Sequence, residues 1–241
     1  MTKIEITRDV ARKVLEVVDA GLSSGLGSPK PGEMCVEAAV CFALGLPHGD
    51  DPKCVSPLLR SLKIRLNDSS WSSNAARALG LRRLAVAQLG SKDNLDPKEF
   101  SRRLVDLAIR KQVPIALRAA ASCHPDSTHK AKLLDAALRC EKDGTKEAAR
   151  EARDVARDAS ASASAYASAY ASAYADADAS AYAYAYADAS AYASASADAY
   201  ADRAEIRDKV LSEFAEDVVQ MLIDMKAPGC VWLELTEAVA A

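Results

Sequence analysis

Residues 159–201 read ASASASAYASAYASAYADADASAYAYAYADASAYASASADAYA, with alanine at every odd position and serine, tyrosine or aspartate between. Strict alternation is the period of a β-strand, and silk-like sheets alternate small residues in this way, so a silk-like or solenoid β structure is one reading of 159–201. Alanine, however, is the best helix former and a poor strand former. The flanks EAAREARDVARD and RAEIRDKVLSEFAEDVVQMLIDMK carry helical periodicity, and no glycine or proline occurs from Thr145 to Ala227. Composition and flanks outweigh the period of two, and the sequence predicts helix.

On a helix, residues four apart stack along one side, which places Tyr166, Tyr170 and Tyr174 on one stripe and pairs Tyr182 with Tyr186. No face of such a helix is purely apolar. Alanine instead permits close approach of a second helix, with tyrosine rings filling between neighbours. A single straight helix from 145 to 226 would run for roughly 120 Å at 1.5 Å per residue. A hairpin or bundle is more compact, and ADADAS at 175–180 is the expected bend. Expansion of a short DNA repeat accounts equally well for the origin of the tract.

Working outward, the head reads as a series of short helices. TRDVARKVLEVVDA places Val10, Val14, Val17 and Val18 on one stripe and ends at Gly21. GLSSGLGSPKPG breaks the chain before a second helix in EMCVEAAVCFALG. A third starts at Ser56 with Pro57 in the first turn, and a fourth runs through NAARALGLRRLAVAQLG to Gly90. Asp96, Pro97 and Glu99 form an Asp-type capping box for a fifth, which should kink or break near Pro114. HKAKLLDAALRCEKDG closes at Gly144. The fold class expected is therefore all-α, with a basic helical head over 1–144, long Ala/Tyr-rich helices over 145–227 forming a hairpin or bundle, and a short extended C-terminal arm over 228–241.

Half of the chain is nominally hydrophobic, but the tract inflates that figure, since all eight tyrosines lie within it. The remaining core must rest on leucine, valine, isoleucine and alanine. The net charge of −3 hides an asymmetry: residues 1–150 hold 25 Lys and Arg against 18 Asp and Glu, and residues 151–241 hold 6 against 16. A basic head and an acidic tail can pair with each other or with an external polyanion. No stretch has signal-peptide or membrane-span character, which points to a cytoplasmic protein with no membrane partner. The six scattered cysteines are expected as free thiols in such a reducing setting.

Three constellations carry possible chemistry. Cys35 near a helix start, with His48 as base and Asp50 or Asp51 to orient it, outlines a cysteine nucleophile for a hydrolase or transferase. Cys35 also shares a helical face with Ala38, Ala39 and Phe42, which favours a buried structural thiol. Cys123, His124, His129 and Cys140 match no common zinc spacing, and neither a metal nor a cofactor is expected. Between Arg60 and Arg118 there are 13 Lys and Arg against 5 Asp and Glu. Arg82, Arg83, Arg102, Arg103, Arg110 and Lys111 could present one face to phosphates or nucleic acid, although interleaved aromatics and glycine-rich loops are missing.

The segments GEMCVEAAVCFALGLPHGDDPKCV, LKIRLNDSSWSS and ARALGLRRLAVAQLGS resemble an uncharacterised family of bacterial hypothetical proteins, in which a similar head precedes an alanine- and tyrosine-rich tail. The resemblance implies no known activity. It would place any shared site among Cys35, Glu37, His48, Asp50, Asn67, Asp68 and Trp71. The function expected is non-enzymatic self-association into a homo-oligomer or filament through the tail, with the cysteine enzyme and the polyanion binder as alternatives.

Overall fold

Thr7 opens the first helix: its hydroxyl accepts from the Val10 amide, and α1 then runs over Arg8–Asp19. The structure, a computed structural model, describes residues 5–124, 126–162 and 200–237. Within them follow α2 (Val36–Ala43), α3 (Pro57–Asp68), α4 (Asn74–Ala87), α5 (Pro97–Leu107), α6 (Val113–Cys123), α7 (Ser127–Asp143), α8 (Lys146–Ser162) and α9 (Tyr200–Asp224). The described residues contain no strand, only an isolated antiparallel bridge between Gly27 and Met34. The described residues are all-α. The first turn of the alternating tract closes α8 and its last residues open α9, so both described ends of the tract are helical. Residues 163–199, and with them Tyr166, Tyr170, Tyr174, Tyr182 and Tyr186, lie outside the described residues.

Packing divides the chain into two units, Met1–Phe100 with Ala204–Ala241, and Ser101–Arg203. The change in composition at residue 144 falls between α7 and α8, both in the second unit.

In the first unit, α2 is buried almost all round, as a helix apolar on every side must be. It packs against α1, α3 and α4. Ala11, Val14 and Val18 of α1, Leu59, Leu62 and Leu66 of α3, and Leu81, Leu84 and Ala85 of α4 supply the surrounding core. On α9, Leu211, Phe214, Val218 and Leu222 form the buried stripe. Gly80 is the point of closest approach: a Cβ there would meet the Trp71 ring at 2.4 Å and Ser212 Oγ at 2.7 Å. Trp71 is fixed in turn by its indole N–H, which donates to Leu66 O at 2.9 Å.

The C-terminal residues, expected as an extended arm, form a 3-10 helix over Pro228–Thr236. Its β-formers find no partner strand to complete a ladder, and the run packs instead on α4 and α1. Gly229 allows this, since a Cβ would lie 2.3 Å from Val86 O.

In the second unit, α7 packs against both α6 and α8. The break expected near Pro114 is a π-helical turn at Ala108–Gln112, followed directly by α6. Proline cannot donate to an i−4 carbonyl and its ring crowds that turn, so a widened turn lets the helix path continue. Asp96 accepts from the Lys98 and Glu99 amides at the start of α5, as the capping pattern predicts. Asp126 accepts from the His129 amide to start α7. Gly144, at φ 63°, ends it.

Candidate functional site

Two fully buried charged side chains meet in the first unit, where α2 packs on α3. Glu37 follows the α2 N-cap by two residues, and Lys63 lies mid-way along α3. Both side chains are fully buried at 0% exposure, with Nζ 3.1 Å from Oε1. Among the described residues neither Lys63 Nζ nor either Glu37 oxygen has an aligned hydrogen-bond partner. The contact is thus an electrostatic approach and not a well-directed bond. Burial pushes the Glu37 carboxyl pKa up and the Lys63 amine pKa down, against the opposing pull that each charge exerts on the other. Desolvation therefore outweighs mutual attraction at both groups, so keeping the pair charged costs stability.

Asp50 and Arg60 stand at the partly exposed edge of this cluster. Arg60 Nη2 donates to Asp50 Oδ1 at 2.7 Å and Nε donates to Asp50 O at 2.5 Å. Arg60 lies one turn before Lys63 on α3, and its charge acts on Glu37.

The charge of Glu37 acts on the thiols of Cys35, Cys41 and Cys54. Cys35 is the N-cap of α2, and its Sγ accepts from the Ala38 amide at 3.4 Å. Such helix-end contacts would lower a thiol pKa, but burial outweighs them and the Cys35 pKa is raised. Burial, aided by the charge of Glu37, pushes Cys41 up to about 12.

The structure does not join Cys35, His48 and Asp50 by any hydrogen bond. The His48 ring meets Gly27 O at 3.1 Å, and Asp50 is occupied by Arg60. Cys35 is a buried thiol at a helix cap, with its coupling to Glu37 and Lys63 and not to an imidazole.

Asn67, one turn beyond Lys63, pins the loop between α1 and α2. Its Oδ1 accepts from Val36 N at 3.2 Å, and its Nδ2 donates to Ser23 O and to Asp68 Oδ1 at 2.9 and 2.8 Å. Asp68 Oδ1 also accepts from Gly25 N at 2.7 Å. Arg77 completes this network by donating to Asn67 O and Leu22 O. Asn67, Asp68 and Trp71 thus act in holding the fold.

The basic side chains are likewise engaged. Arg82 forks onto Asp19 at 2.6 and 2.9 Å and donates to Thr236 O at 2.5 Å. Arg83 reaches Glu216 and Thr236 Oγ1. In the second unit, Arg110 bonds Asp106 and caps the end of α7 by donating to Glu141 O, Lys142 O and Asp143 O. Arg102, Arg103 and Lys111 also have interactions within the protein. Arg82, Arg83 and Arg110 thus work as internal clamps.

His124 is buried, accepting from Asp126 N at Nδ1 and meeting Ala159 O at Nε2. Its ring lies 4.9 Å from that of His129, centroid to centroid. With both His124 nitrogens turned to backbone, the ring ties the α6–α7 connection to the last turns of α8. Among the described residues no group of three or more His, Cys, Asp or Glu could hold a metal ion, and no helix is long and apolar enough to cross a membrane.

Lys63 and Glu37 escaped sequence reading as a pair because they lie on different helices and each resembles an ordinary surface charge within its own segment. For Glu37, the apolar run on both sides of it in MCVEAAVC is a local signal of burial. No family model matches the chain, and neither a curated protein nor a solved structure does.

Proposed function

We propose that this chain is a non-enzymatic, cytoplasmic protein that associates with copies of itself through its Ala/Tyr-rich segment. The observation that carries the reading is the seam between α7 and α8. Ala148, Ala149, Ala152, Ala156 and Ala159 are all buried on α8, facing a helix whose own buried positions include Ala136, Ala137 and Cys140. Small residues on both sides bring the helix axes close, to the point that Cys140 Sγ donates to Ala148 O at 3.5 Å. This alanine stripe leads into the tract, which keeps alanine at every odd position through residue 201. Close helix contact through alanine is therefore a packing mode that the chain already uses and that the tract can extend to a second copy, with tyrosine adding contact area.

The five described cysteines are free, which suits a reducing compartment. The cysteine-enzyme reading has less support, since Cys35 is buried and has no hydrogen bond to His48. The polyanion reading is weakened by the internal partners of Arg82, Arg83 and Arg110.

Light scattering of the full chain and of a variant lacking 163–199 tests the proposal. The full chain should have a mass above that of the monomer, and the deletion should restore the monomer while leaving the far-ultraviolet spectrum helical. A full chain that is monomeric at tens of micromolar overturns it.

A further inference from the structure

The buried charges of the first unit are incompletely satisfied. A lysine ammonium has three donors and a carboxylate about four acceptor sites, whereas Lys63 Nζ and Glu37 Oε1 share a single, poorly aligned approach at 3.1 Å. Both side chains are fully buried, so bulk solvent does not supply the missing bonds. Orphaned polar groups of this kind carry a large desolvation cost, and native interiors meet it with small polar molecules that make about three hydrogen bonds each.

The chemistry of the two groups defines what fits. The occupant must accept from Lys63 Nζ and donate to a Glu37 oxygen within the same contact distance. An anion would face the carboxylate, a cation would face the ammonium, and an apolar molecule would satisfy neither. A neutral molecule with both donor and acceptor capacity remains. The full burial of both side chains favours the smallest such molecule, water.

We propose that the Glu37–Lys63 pair forms an internal hydration site, in which a long-lived water accepts from Lys63 Nζ and donates to a Glu37 carboxyl oxygen.

Oxygen-17 relaxation dispersion on the full chain in labelled water counts waters that stay bound for longer than the protein tumbles. The wild type should hold at least one more such water than the double variant Glu37→Leu/Lys63→Met. Equal counts in two folded proteins overturn the proposal. A crystal structure of the wild type at about 1.5 Å needs no variant: a water within about 3.2 Å of both Nζ and a Glu37 oxygen is expected. An unhydrated pair in that structure overturns the site even if the double variant does not fold.

Discussion

Lys63 Nζ lies 3.1 Å from Glu37 Oε1 with neither side chain exposed, so the ion pair belongs to the core of the first unit and not to its surface. Removing two charges from water costs several kcal/mol per ion, and a misaligned pair recovers only part of it. Truncating one partner leaves the other buried and alone. Lys63→Met or Glu37→Leu should therefore each destabilise by about 3–5 kcal/mol, whereas the double variant should be less destabilised than either single variant. Urea unfolding of the four proteins provides the cycle. A double variant that loses the sum of the two single losses would show that the charges do not interact.

The pH dependence follows from the same burial. Glu37 has a folded pKa above its ordinary 4.5, so its contribution to stability is fully present below 4.5 and is lost as the pH rises through the folded value. Lys63 has a folded pKa below its ordinary 10.5, so its contribution is present above 10.5 and is lost as the pH falls through the folded value. Near pH 7 each group thus imposes a cost. The stability of wild type relative to Glu37→Gln should increase as the pH falls from 7 toward 4.5. Relative to Lys63→Met it should increase as the pH rises from 7 toward 10.5. Urea midpoints at pH 5, 7 and 9.5 measure both trends, and reversed slopes would mean that mutual attraction outweighs desolvation.

Burial also sets the reactivity of the thiols. Cys140 and Cys230 are pushed up to about 11 and Cys41 to about 12, with Cys35 and Cys54 raised as well. The attacking species is the thiolate, and a pKa near 11 leaves on the order of 100-fold less of it at neutral pH than in an ordinary cysteine. Iodoacetamide labelling of the native protein should be slow at all five positions, with half-buried Cys230 reacting first, and fast once the protein unfolds. A Cys35 that labels faster than free cysteine would restore the nucleophile reading.

These features differ in how far they were written locally. The cap at Asp96 and the stop at Gly144 depend on residues within one turn of each other, and each was legible from a short segment. Arg82 and Arg83 read as part of a basic face, but their partners Asp19 and Glu216 are remote in sequence. Gly80 carries no local signal within α4, and only its approach to Trp71 and Ser212 explains it. The Glu37–Lys63 pair is the extreme case, since helical periodicity assigns a charge to the polar face unless the opposing helix is known. What was hidden is the tertiary pairing of charges, because no local pattern encodes it.

The α7–α8 seam offers the last test, because its closeness depends on alanine. Ala152 is fully buried at the middle of the α8 stripe, so leucine there must push the helices apart or adopt a strained rotamer. Overpacking of this kind costs about 1–3 kcal/mol. Arg150, exposed on the same helix, can take leucine at a cost within about 0.5 kcal/mol. Hydrogen exchange followed along α7 and α8 should show faster amide exchange in Ala152→Leu and an unchanged pattern in Arg150→Leu. Unchanged exchange in Ala152→Leu would mean that the seam has room for larger side chains, and that its alanines do not set the distance between the helices.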